Sequence, residues 1–251
     1  MLFRSVGVAH FQREELLGRE LDVLNLRWMG RVFWAQFRRK ARSPWQWYRL
    51  AVGEVLRQTR PAILFCVLLA VASVVAGTQL VQTFFIPLDA QNLAEVEERL
   101  GMVTSDWAVL DLRLVLLIVG QNLRVMLLSL VLGVLSLGVL GVLPMFASLA
   151  VAGYLMAMLG ANGLPAWQYT LALLVPHGIL EIPAVILGSA AILRGGALLA
   201  TPTPGKAFGQ VMLEALADWL VIFLGLVVPL LLAAAMVEVW VTPRLAMILL
   251  Q

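Results

Sequence analysis

This sequence predicts an all-α, polytopic membrane bundle of about five transmembrane helices with amphipathic helices at its N-terminal end. Three observations carry that reading. Hydrophobic residues make up 61% of the 251 positions and charged residues only 13%, where a soluble domain is about half apolar and a quarter charged. The apolar residues fall in long runs that reach or exceed the roughly 20 residues a bilayer requires, separated by Gly/Pro turns, and mean hydropathy is +0.92. Positive charge is crowded ahead of the first run, leaving the following loop acidic.

The elements follow in order. Residues 1–60 hold twelve Lys/Arg against five acids, too long and charged a stretch for a secretory signal. By the positive-inside rule this end is expected in the cytoplasm of a multi-pass cell-membrane protein. Leu17, Leu21, Leu24 and Trp28 recur at helical spacing, so 11–42 reads as one amphipathic helix, broken by Ser43-Pro44. Residues 44–60 mix Trp45, Trp47 and Tyr48 with Arg49, Arg57 and Arg60, which suits a helix in the headgroup region. The bundle proper is read over 61–245. Its first span covers about 61–85, and Pro87 closes it. Residues 86–113 carry six acids against Arg99 and Arg113, as an extracytoplasmic loop would, with a short surface helix over 91–100.

The apolar region 114–164 is too long for one span. Gly138, Gly141 and Pro144 mark a turn, giving spans near 115–140 and 144–162, and Asn162-Gly163-Leu164-Pro165 is a second turn. Small residues at Gly133, Ser136, Gly138 and Gly141 allow helices to approach closely. The fourth span reads as 167–193, with Gly195-Gly196 terminating it. A loop containing Pro202, Pro204 and Lys206 leads to a fifth span over about 208–237.

The spans hold an unusual set of polar residues. His177 and Glu181 are four apart, on one helical face, in a stretch where nothing else from 169 to 193 carries charge. An ionisable side chain at the bilayer centre costs about 2.5–3.5 kcal/mol on insertion scales, so this face should meet protein or water and not lipid. Gln121, Asn122, Arg124, Glu214 and Asp218 join it, with Glu238 at a span end. At a rise of about 1.5 Å per residue, counting from Arg194, Lys206 and the turn at Gly141 puts Glu181 and Asp218 on one level, and His177 and Arg124 on another. Two readings follow: Arg124 neutralises a carboxylate and the group fixes helix register, or an excess of acids forms a cation or proton position or a partner's socket.

Enzyme chemistry finds little support. His177-Gly178-Ile179-Leu180-Glu181 lacks the second histidine of a His-Glu-x-x-His zinc site, and His10 lies in the N-terminal segment. No Gly-x-Ser-x-Gly or phosphate-binding loop occurs, and a single Cys66 excludes an internal disulfide and a cysteine zinc site. No catalytic residue, cofactor or metal is expected.

Pro176-His177-Gly178 with Glu181, closing on Arg194-Gly195-Gly196, resembles the signature of the stage II sporulation protein M family. Asn162-Gly163 at the end of the third span, and Glu238 followed by Trp240 and Thr242-Pro243, agree with it in order. The resemblance implies a non-enzymatic membrane scaffold for envelope proteins, including cell-wall hydrolases. The expected partners are then the lipid bilayer, such envelope proteins and further copies of the chain, with no nucleic acid. The alternative is a transporter, permease subunit or channel using the acidic/His cluster.

Overall fold

The computed structural model describes residues 25–87, 112–201 and 204–250. Among them there is helix and turn but no strand. Helix α1 is Leu26–Arg38. Five longer helices are apolar enough to cross a membrane: α2 Pro44–Leu80, α3 Leu112–Leu135, α4 Leu140–Ala161, α5 Ala166–Ala200 and α6 Phe208–Trp240. A short α7, Thr242–Leu249, follows. The protein is a multi-helix membrane protein, as its hydropathy predicts. The expected surface helix over 91–100 and the part of the N-terminal helix before residue 25 lie outside the described residues.

Local chemistry sets the helix ends. Asn25 caps α1 by accepting from the Trp28 N–H, and Arg39 and Lys40 then adopt left-handed backbone that turns the chain. Ser43 accepts from the Gln46 N–H and Pro44 takes the first turn of α2, where its missing N–H costs nothing. From there one continuous helix runs to Leu80, through a π turn at Tyr48–Val52 and past Pro61. No separate headgroup helix forms over 44–60, and Pro61 lies within the span instead of opening it. The span also stops at Leu80, five residues before the expected end.

Two other π turns, Thr170–Leu174 in α5 and Phe223–Val227 in α6, each precede a proline, Pro176 and Pro229. A proline has no N–H to give the carbonyl four residues back, and its ring crowds that carbonyl, so the ladder widens locally. At α6 the affected carbonyl is Gly225, and Tyr48 Oη donates to it across 3.2 Å, tying α2 to α6.

The fourth span, α5, sits at the centre, packed against α2, α3 and α6, while α2 packs most extensively on α4. Backbones touch along that α2–α4 seam: a Cβ on Gly77 would overlap the Ala150 carbonyl, and one on Gly153 the Val74 carbonyl. This is the small-residue packing of membrane helices. The main apolar core joins Val52 and Val55 of α2, Met126 of α3, Ala184 and Ile192 of α5, and Trp219, Ile222 and Leu231 of α6. Leu64, Leu68, Val71, Leu116, Leu117 and Ile179 stay exposed, as a lipid-facing surface requires.

The α3–α4 turn uses Gly138 at φ +92°, a backbone that suits glycine. There the structure departs from expectation: α5 does not end at Arg194-Gly195-Gly196 but continues to Ala200. Gly196 has a packing role, since a Cβ on it would overlap the Leu137 backbone of this turn. A glycine that admits a neighbouring backbone and one that ends a helix look alike in sequence.

Candidate functional site

The polar residues of the spans separate into two clusters at different levels. The first lies at the basic end of the bundle, centred on Asp218, whose side chain is only 4% exposed. Its Oδ1 accepts from Gln36 Nε2 and Arg39 Nη2, both at 2.8 Å, and its Oδ2 accepts from Arg194 Nη1 at 2.9 Å. Arg194 Nη2 also donates to Gln58 Oε1 at 2.6 Å. Gln36 lies in the last turn of α1, and Arg39 is the left-handed residue that closes it. One carboxylate thereby joins α1 to α5 and α6, and Arg194 extends the network to α2. Beside it Glu214 accepts from Lys206 Nζ at 2.6 Å and from Gln210 Nε2 at 2.9 Å. Gln36, Arg39, Gln58, Arg194, Lys206, Glu214 and Asp218, with Leu198 and Val211, line a cavity of about 350 Å³.

The second cluster lies farther along. His177 Nε2 stands 3.9 Å from Glu181 Oε2, too far for a hydrogen bond. Glu238 of α6 joins them, and one ligand atom from each of the three lies within 4.8 Å of the others. A cavity of about 360 Å³ opens beside them, lined by Leu117, Ile118, Gln121 and Asn122 of α3 together with Glu181 and Glu238. His177 is 13% exposed on its side chain and Glu181 30%, so this face meets protein and a cavity. His177 Nδ1 is buried without a hydrogen-bond partner.

Several expectations are corrected here. Asp218 and Glu181 do not share a level: Asp218 binds Arg194, which is thirteen residues from Glu181 on the same helix, or about 20 Å. The count failed because Arg194 is not the end of α5, which runs on to Ala200, and Arg194 itself stands beside Asp218. Arg124 neutralises neither cluster. It lies on the exposed face of α3, and among the described residues it has no ion-pair partner. Glu214 serves Lys206 near the start of α6 and takes no part in the His177 group.

The motif residues have separate tasks. Pro176 sits in the first turn after the π segment, one residue before His177. Gly178 is buried, yet a Cβ there would make only ordinary contact with Ile182 of its own helix. Asn162 and Gly163, the latter at φ +79°, form the turn after α4. Asn162 Nδ2 also donates to the Ile86 and Met158 carbonyls at 3.2 and 2.9 Å, holding the chain leaving α2. Buried Thr242 and Pro243 bend the chain between α6 and α7 just beyond Glu238, and Thr242 Oγ1 donates to the Val237 carbonyl at 3.3 Å.

With this arrangement in view, a family model described as Stage II sporulation protein M matches residues 61–243. The chain belongs to that family. The match contains all five long helices except the opening of the first, and both clusters apart from Gln36, Arg39 and Gln58. No curated protein and no solved structure matches.

Sequence reasoning missed the Asp218 partners. Arg194 read as a helix terminus, Gln58 drew no notice, and Gln36 and Arg39 read as part of a basic segment. In this Stage II sporulation protein M family member the partners come from the end of α1 and the turn that closes it, where no helical spacing marks them. Glu238 read as a span end; its junction with His177 depends on the pairing of α5 with α6.

Proposed function

We propose that this protein is a non-enzymatic membrane scaffold or assembly subunit that organises envelope partners, among them peptidoglycan-remodelling enzymes, in the cytoplasmic membrane with its N-terminal segment in the cytoplasm. The observation that carries this reading is the Asp218 junction. Arg39 and Gln36 of α1 meet Arg194 of α5 on one buried carboxylate. The strongest polar interactions are thus spent on fastening a peripheral helix to the spans in one arrangement, as a platform needs. Interlocked backbones at Gly77 and Gly153 support the same reading, because a sliding gate cannot tolerate such contacts. Membership of the Stage II sporulation protein M family agrees with a structural role. The docking surfaces are the basic N-terminal segment and the acidic 86–113 loop.

The test is cross-linked affinity purification from native membranes followed by mass spectrometry. Wild type is compared with a variant carrying Glu95→Gln, Glu97→Gln and Glu98→Gln in the acidic loop. Cell-wall hydrolases or other envelope proteins recovered with wild type and lost from the variant support the scaffold. Recovery of the protein alone from both removes that reading.

A further inference from the structure

Two groups of acids in one chain are treated in opposite ways. Asp218 receives three donors, two of them cationic. Glu181 of α5 and Glu238 near the end of α6, both partly buried, receive no hydrogen bond among the described residues. Their nearest potential cation is His177 at 3.9 Å from Glu181. Around them gather four carboxylate oxygens, an imidazole with neither nitrogen in a hydrogen bond, and the carboxamides of Gln121 and Asn122 across the cavity. The charged groups here supply lone pairs and no fixed positive charge, and Arg124 lies on the exposed face of α3.

We propose that His177, Glu181 and Glu238 form a binding site for one divalent transition-metal ion, of the zinc, cobalt or manganese class, that bridges the fourth and fifth spans. Two carboxylates and a dication sum to zero charge, which removes the cost of holding the acids in a low-dielectric bundle. One imidazole with carboxylates suits borderline metals, whereas calcium and magnesium favour all-oxygen shells. Ligand atoms about 2.1 Å from a tetrahedral metal stand about 3.4 Å apart. The three atoms lie within 4.8 Å of one another, so side-chain movements that shorten the widest separation by about 1.4 Å close the set. His177 and Glu181 are already on one face, four residues apart, and Glu238 comes from the adjacent helix, so the ion fastens α5 to α6. The cavity beside Asn122 leaves room for water or a carboxamide oxygen as a further ligand. The site does not depend on the scaffold reading.

The test uses the full-length protein in detergent, stripped with chelator and desalted, then titrated with Co²⁺ alone and back-titrated with Zn²⁺. The expected result is one equivalent of Co²⁺ with a visible ligand-field band that Zn²⁺ abolishes. Glu238→Gln and His177→Gln should weaken binding by at least about tenfold, a loss that even an outer partner of a metal ligand can produce. Because a variant could fail to fold, X-ray absorption of the Zn²⁺-loaded wild type provides a second measurement. A shell with one imidazole and carboxylate oxygens supports the site. No bound metal, binding unchanged in both folded variants, or an all-oxygen shell overturns it.

Discussion

Arg194 Nη1 donates to Asp218 Oδ2 at 2.9 Å, joining the centre of the bundle to its last span, while Arg39 holds the other oxygen of the same carboxylate. Removing one member of such a group leaves the others buried without their counter-charge. Asp218→Ala should therefore cost about 2–4 kcal/mol, short of the loss for a fully buried pair because both arginines keep some solvent contact. Thermal unfolding in detergent measures it, and an unchanged midpoint would refute the junction's structural importance.

Arg124 offers the opposite case. It is exposed at the middle of α3 with no ion-pair partner among the described residues. Arg124→Leu should leave the melting temperature in detergent unchanged and raise the insertion efficiency of that span, since a central arginine opposes insertion by about 2.5–3.5 kcal/mol. A glycosylation-mapping insertion assay reads the second effect. A marked drop in melting temperature would mean that Arg124 has a partner within the bundle.

Helix α1 rests on Gln36 and Arg39, helped by the Trp47 Nε1 bond to the Phe37 carbonyl at 2.9 Å. The double variant Gln36→Ala, Arg39→Ala should increase amide exchange across residues 26–38 by about tenfold or more, as one or two charge-assisted bonds are lost. Exchange should be unaffected in α4. Protection retained over 26–38 would show that aromatic packing alone holds the helix.

Two glycines of the fourth span should answer differently to the same substitution. Gly196→Ala drives a methyl into the Leu137 backbone and should cost about 3 kcal/mol, the upper part of the overpacking range. Gly178→Ala meets only the end of Ile182 and should be neutral or gain up to about 1 kcal/mol from helix propensity. Equal effects at the two sites would contradict the packing described here.

The number of spans and the turns at Gly138 and Asn162 were legible in the sequence because bilayer length and hydropathy dominate them. The special character of His177 and Glu181 was legible too, since charge stands out in an apolar run. Adjacency was not. Helical rise supplies a level for each residue, but which faces meet depends on backbone contacts such as Gly196 against Leu137, which also carry α5 beyond its expected end. Asp218 was misplaced for that reason, and Glu238 was seen only as part of an ending. Arg124 was paired on sign alone, although helical phase directs it outward.

The seam between Gly77 and Gly153 has a consequence for how the chain is made. The first and third spans are partners in the finished bundle, yet the second leaves the ribosome between them. The first span therefore enters the bilayer with a bare glycine notch in its backbone and keeps it until two more helices have been synthesised. Assembly order cannot copy synthesis order in this protein. Any bulky residue at Gly77 would act when the third span docks against it, ahead of the junction that needs the last span.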